Sequence, residues 1–212
     1  MISQIIGVRV GDKMRIRTHA NPFHYYKREE RLELATIFPA FSGKMDVECG
    51  FGTGGFMQHY MAGHPDRFMV GFEIRQPAVA LLQDRIPDEM KSRVYLHNGT
   101  AEIGIEDMLP DQSIDRVFVF HPDPWFKKSH HKRRLIKPAF LKMLTKKMKP
   151  GARLYVSTDV EDLWMYMRQS LDASPFHEIE DPDFWRDYYL TPWQQFSVRD
   201  SRNSYRGVFE LS

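Results

Sequence analysis

Residues 44–63 read KMDVECGFGTGGFMQHYMAG, and their order decides the architecture. KMDVEC, 44–49, reads as a short strand. In GFGTGG, 50–55, glycines permit a tight turn and close approach of backbone to a ligand, and a helix begins just beyond. Working outward, further strands are predicted at 67–74 (RFMVGFEI), 93–98 (RVYLHN), 113–121 (SIDRVFVFH) and 152–158 (ARLYVST). Helices are predicted over about 76–85, 138–148 and 160–172, and a short amphipathic one within KREERLELATIFPAF, 27–41. Pro138 suits a first turn, and Lys146, Lys147 and Lys149 suit the negative end of that helix dipole. FHEI at 176–179 and SYRGVFEL at 204–211 are candidates for a late antiparallel pair. This alternation predicts an α/β fold: a mostly parallel sheet covered on both faces, with function at the carboxyl ends of its strands.

Two acids fall at those strand ends. Glu48 lies inside the end of the first strand, and Glu73 ends the second, 23 residues after Gly50. A carboxylate at Glu73 is placed to accept hydrogen bonds from ribose hydroxyls, the general logic of nucleotide-binding folds. The glycine spacing does not name the nucleotide. A glutamate two residues before the loop opposes a pyrophosphate and suits a cationic amino group. S-adenosylmethionine, carrying an ammonium and a sulfonium, therefore fits better than a dinucleotide.

The chain has 212 residues and a formal net charge of +2, which suits one domain of ordinary composition. Residues 44–212 form that predicted domain, and 1–43 a basic, partly helical extension carrying Arg9, Lys13, Arg15 and Arg17. Cys49 is the only cysteine, which excludes an intramolecular disulfide and argues against a thiolate zinc cluster. No run approaches 18 apolar residues and no secretory leader is evident, so the expectation is a reducing, cytoplasmic setting without a membrane partner. The small net charge conceals strong polarity. From Pro124 to Thr158 there are eleven basic residues and no acid, leaving −9 elsewhere. That block predicts a polyanionic partner.

The most informative segment is HPDPWFKKSHHKRR, 121–134. Two prolines hold Asp123 with little conformational loss at the end of the fourth strand, beside the expected cleft. Trp125 offers a stacking surface for a base, or simple packing. Lys127, Lys128, Lys132, Arg133 and Arg134 read as a phosphate track. His121, His130 and His131 lack acidic or thiol companions, so no metal site is expected, and His121 reads as a core or rim residue.

This segment resembles the signature FPDPWxKKRHxKRR of the bacterial tRNA (guanine-N7-)-methyltransferase family, with matches from about Phe41 to the C-terminus. The resemblance implies a class I, Rossmann-like methyltransferase fold, a three-layer sandwich that uses S-adenosylmethionine to methylate N7 of a guanine in the tRNA variable loop. It implies cofactor contacts at Glu48, Gly50, Gly52, Gly54 and Glu73, a catalytic Asp123, and substrate contacts at Lys127, Asp159 and the basic segment 128–134. The family's aspartate after the third strand is replaced here by Thr100, and its Thr-x-x-Glu motif reads Thr191-Pro-Trp-Gln194. His121 and Ser129 also depart from the pattern. Alternatives are a methyltransferase acting on another RNA base, and a non-enzymatic or weakly active RNA-binding scaffold. Oligomeric state, monomer or homodimer, is open.

Overall fold

The computed structural model describes residues 28–212; the basic patch Arg9, Lys13, Arg15 and Arg17 lies outside the described residues. The helix expected over 27–41 is one turn, α1 (Leu34–Ile37). Pro39 disfavours helical backbone at Phe38, and the turn ends there. Phe38 is nonetheless fully buried, with its ring 5.2 Å from that of Phe68. Residues from Leu32 onward thus belong to the same core as the strands that follow.

Then come β1 (Met45–Cys49), α2 (Gly55–Gly63), β2 (Phe68–Glu73), α3 (Gln76–Arg85), the short α4 (Asp88–Lys91), β3 (Val94–Asn98), α5 (Ala101–Met108) and β4 (Ile114–Phe120). A 3-10 turn over Lys128–Arg133 precedes α6 (Pro138–Lys147), β5 (Met148–Thr158), α7 (Glu161–Asp172), β6 (Phe176–Ile179), α8 (Pro182–Arg186), α9 (Pro192–Arg199) and β7 (Tyr205–Leu211). β5 starts earlier than the expected 152. Its first residue, Met148, already pairs with Ile114, and a register shift after that pair takes up the extra residues around Gly151, which has φ +74°.

The seven strands form one sheet ordered β3-β2-β1-β4-β5-β7-β6. β1 to β5 are parallel, and β7 runs antiparallel to both β5 and β6. The expected pairing of FHEI with the C-terminal strand is present. Apolar clusters on the two faces complete three layers. One packs α5, α6 and α7 against the sheet through residues such as Ile105, Phe140 and Met167. The other packs α2 and α3 through Phe56, Met57 and Leu82, and takes in Phe184, Trp185 and Tyr188 of the tail. The chain leaves β1 toward β2 and β3 on one side and returns to β4 on the other. This reversal opens a crevice at the carboxyl ends of β1 and β4, where ligands bind in such sheets.

Candidate functional site

A cavity of about 740 Å³ occupies that crevice. Glu48, Gly50, Gly52, Glu73 and Thr100 line it from the ends of β1, β2 and β3; Asp123, Lys132, Arg133, Asp159 and Thr191 line it from the other side. The sheet order therefore brings together residues spread over most of the chain.

Two acids on β1, two positions apart, meet opposite fates. Asp46, toward the start of the strand, is fully buried and accepts from Tyr60 Oη at 2.8 Å and from both arms of Arg67. Glu48 is equally buried, yet its Oε2 has no hydrogen-bond partner. Burial, reinforced by the charge of Glu73, pushes its carboxyl up to about 8. A buried acid left unpaired is costly, and one that faces a cavity is complementary to a cationic ligand.

Glu73 is occupied differently. It accepts from the Gly52 N–H at 2.9 Å, from the Arg75 N–H at 3.0 Å, and from Nε and Nη2 of Arg75 at 2.9 Å each. Arg75 was not among the expected site residues, although a cation two residues beyond an expected ribose acceptor was a signal. The Glu73 carboxylate holds the Arg75 guanidinium charged, and Asp123 contributes to the same field.

The glycines divide by role. Gly50, Gly52 and Gly54 all have positive φ, at 78°, 58° and 76°. Gly50 and Gly52 face the cavity, whereas a Cβ on Gly54 would overlap the Leu82 side chain. Gly54 lies outside the cavity lining, and its lack of a side chain lets the start of α2 lie close to Leu82 of α3.

The loop after β4 carries Asp123 between Pro122 and Pro124 at the cavity wall. His121 (φ 48°) and Trp125 (φ 47°) both adopt left-handed backbone, unusual for such bulky residues. The His121 side chain is buried, and Nδ1 lies 3.5 Å from Asp159 Oδ1. Burial lowers the pKa of the imidazole, against the opposing pull of Asp159 and Gln194.

The basic segment does not act as one surface. Lys127, Lys128 and Lys132 are exposed, and Lys132 and Arg133 line the cavity. Arg134, expected in the phosphate track, is 1% exposed. Its Nε donates to the Pro124 carbonyl at 2.9 Å, its Nη2 pairs with Asp162, and its guanidinium lies 4.9 Å from the Tyr166 ring centroid. It is a strut beneath the loop, its buried guanidinium donating to the Pro124 carbonyl rather than to a ligand.

Two of the four departures from the family pattern, Thr100 and Gln194, sit at helix starts. Thr100 caps α5, accepting from the Ile103 N–H at 3.4 Å, and also lines the cavity. Thr191 caps α9, accepting from the Gln194 N–H at 3.2 Å. Thr191-Pro-Trp-Gln194 is thus spaced as a capping box, where substrate contact was expected. Gln194 is buried outside the cavity lining, and its Oε1 lacks a hydrogen-bond partner. Asp159 ties α9 to the end of β5: it accepts from Ser197 Oγ at 2.7 Å, Trp193 Nε1 at 3.2 Å and Arg202 Nη1 at 3.1 Å. Burial raises its pKa, but these donors outweigh burial and hold the carboxyl below its ordinary value. Among the described residues no group of three or more His, Cys, Asp or Glu is arranged to hold a metal, and no helix is long and apolar enough to cross a membrane.

A family profile described as "Putative methyltransferase" matches residues 42–207. A solved structure titled "Structure of an antibiotic related Methyltransferase" shares the fold, with a TM-score of 0.59 at 17% identity over 84% of this chain and 93% of that one. With the strand order and the cavity at the topological reversal, these define a Rossmann-like, class I methyltransferase. The chain is 39% identical over 160 residues to a tRNA (guanine-N(7)-)-methyltransferase of Paracoccus denitrificans, covering 74% of this chain and 67% of that protein. It is 36% identical over 178 residues to the protein of that name from Roseobacter denitrificans, covering 80% and 75%. This protein belongs to the tRNA (guanine-N(7)-)-methyltransferase family.

Proposed function

We propose that the protein transfers a methyl group from S-adenosylmethionine to N7 of a guanine in the tRNA variable loop, as a cytoplasmic enzyme built on one domain whose core takes in residues from Leu32 onward, part of the expected extension 1–43, together with 44–212. The observation that carries this reading is the unpartnered, buried Glu48 carboxylate in a cavity whose opposite wall presents Asp123 and a basic loop. The relatives' names supply the substrate.

The residues present fit the cofactor. Glu48 suits its ammonium, Glu73 its ribose hydroxyls, Gly50 and Gly52 close backbone approach, and Thr100 the region of the base. When bound, S-adenosylmethionine supplies an electrophilic methyl on a cationic sulfur. Guanine N7 carries a lone pair and no proton, so the chain has no proton to remove there. Its task is alignment and the management of positive charge arriving on the purine. Asp123, held by its flanking prolines, accepts hydrogen bonds from the guanine edge and favours the cationic product. Asp159 keeps α9 and Trp193 at the cavity wall. Lys127, Lys128, Lys132 and Arg133 neutralise RNA phosphates.

Incubation with unmodified tRNA and labelled cofactor, followed by mass spectrometry of the nucleosides, tests the proposal. 7-Methylguanosine at one variable-loop position is expected. A different methylated base, or no product from folded protein with intact tRNA, overturns it.

A further inference from the structure

The aromatic residue free to meet a base is the neighbour of the one the motif suggests. Trp125 is partly covered: the Arg133 guanidinium lies 4.9 Å from its ring centroid, and the His130 ring meets it edge-on at 5.8 Å. The left-handed backbone at Trp125 accompanies a change of direction, and Phe126 is 74% exposed while still lining the cavity. Among the described residues Phe126 makes no ring or cation contact, and none of the large apolar side chains among them is more exposed. Exposed Lys127 and Lys128 follow it. Trp193, 38% exposed, lines the same cavity from α9, but like Trp125 it is partly covered: the Arg202 guanidinium lies 6.0 Å from its ring centroid and the Phe196 ring 5.7 Å.

We infer that Phe126 stacks on a base of the RNA substrate. The inference rests on the proposed function and adds a substrate contact to it. A planar apolar ring beside exposed cations matches one kind of occupant, a nucleobase on a phosphate backbone. The phosphates meet the lysines while the base covers the ring. Methylation at N7 also requires the purine to be accessible, and a base drawn from its stack needs replacement stacking partners.

The test measures the affinity of unmodified tRNA transcript and of S-adenosylmethionine, separately and without turnover, for the wild type and for Phe126→Ala, Phe126→Leu and Phe126→Trp. Phe126→Ala and Phe126→Leu should each weaken tRNA binding at least about fivefold, the low end of base–aromatic stacking. Phe126→Trp should stay within about twofold, and cofactor affinity should be unchanged throughout. Retained tRNA affinity in Phe126→Ala, or full rescue by leucine, overturns the inference. Equal loss of cofactor affinity does the same, since it marks a structural effect. Because binding is read without catalysis, a wild type that forms no 7-methylguanosine overturns the proposed function and leaves this measurement to decide on Phe126.

Discussion

Arg134 reaches back ten residues along the β4–α6 loop to donate from Nε to the carbonyl oxygen of Pro124 at 2.9 Å. This last cation of the KRR run is therefore turned inward, away from any polyanion. Arg134→Met should lower unfolding free energy by about 1.5–3 kcal/mol, the worth of a hydrogen bond made by a charged group. The salt dependence of tRNA binding should stay unchanged. Urea denaturation and binding titrations at several salt concentrations check both halves.

Lys128 and Lys132 behave in the opposite way, because both are exposed. Replacing both by alanine should weaken tRNA binding and reduce the log–log salt slope by roughly 0.7–0.9 for each phosphate no longer neutralised, with stability unaffected. An unchanged slope removes both lysines from the RNA surface.

Glu48 makes stability depend on pH. Its carboxyl stands at about 8 in the folded chain against 4.5 ordinarily, so the folded state holds a proton that the unfolded state releases between those values. Stability is thus undiminished by Glu48 below the ordinary value, and falls as pH rises toward the folded one. Glu48→Gln should stabilise the ligand-free protein by up to about 4 kcal/mol at pH 8 and hardly at all at pH 4.5, at roughly 1.4 kcal/mol per unit of displacement. The same variant should lose cofactor affinity. Denaturation curves across pH and calorimetric titration provide the check.

Asp123→Asn keeps the size of the side chain and removes its charge. Turnover should fall roughly 100-fold while tRNA affinity changes little, since the carboxylate serves the charge that develops on the purine. Equal losses in both quantities would assign Asp123 to binding alone.

Much of this molecule is local, and that part was legible. β1 to β4, the glycine turn and the antiparallel tail follow from patterns spanning fewer than ten residues each. Glu48, Glu73 and Asp123 could be placed at the functional end because strand ends are local features too. Thr100 and Thr191 are legible too, since a threonine just before a helical run is a cap signal in the sequence itself. Amphipathic spacing predicts a longer helix than the single turn α1 because it carries no account of the backbone restriction before Pro39.

The sequence by itself determined the parallel α/β architecture, the polar ends of its strands and the concentration of positive charge behind β4. Tertiary structure alone decided which of those charges face solvent. A cation is drawn inward by oxygens placed to accept from it, and their position depends on how the loop and α7 pack together. Arg134 turns in toward Pro124 and Asp162, Arg75 folds over Glu73, and Glu48 is left without a partner beside a cavity. Trp125 and Phe126 are neighbours in the chain, but packing and a left-handed backbone cover one and expose the other.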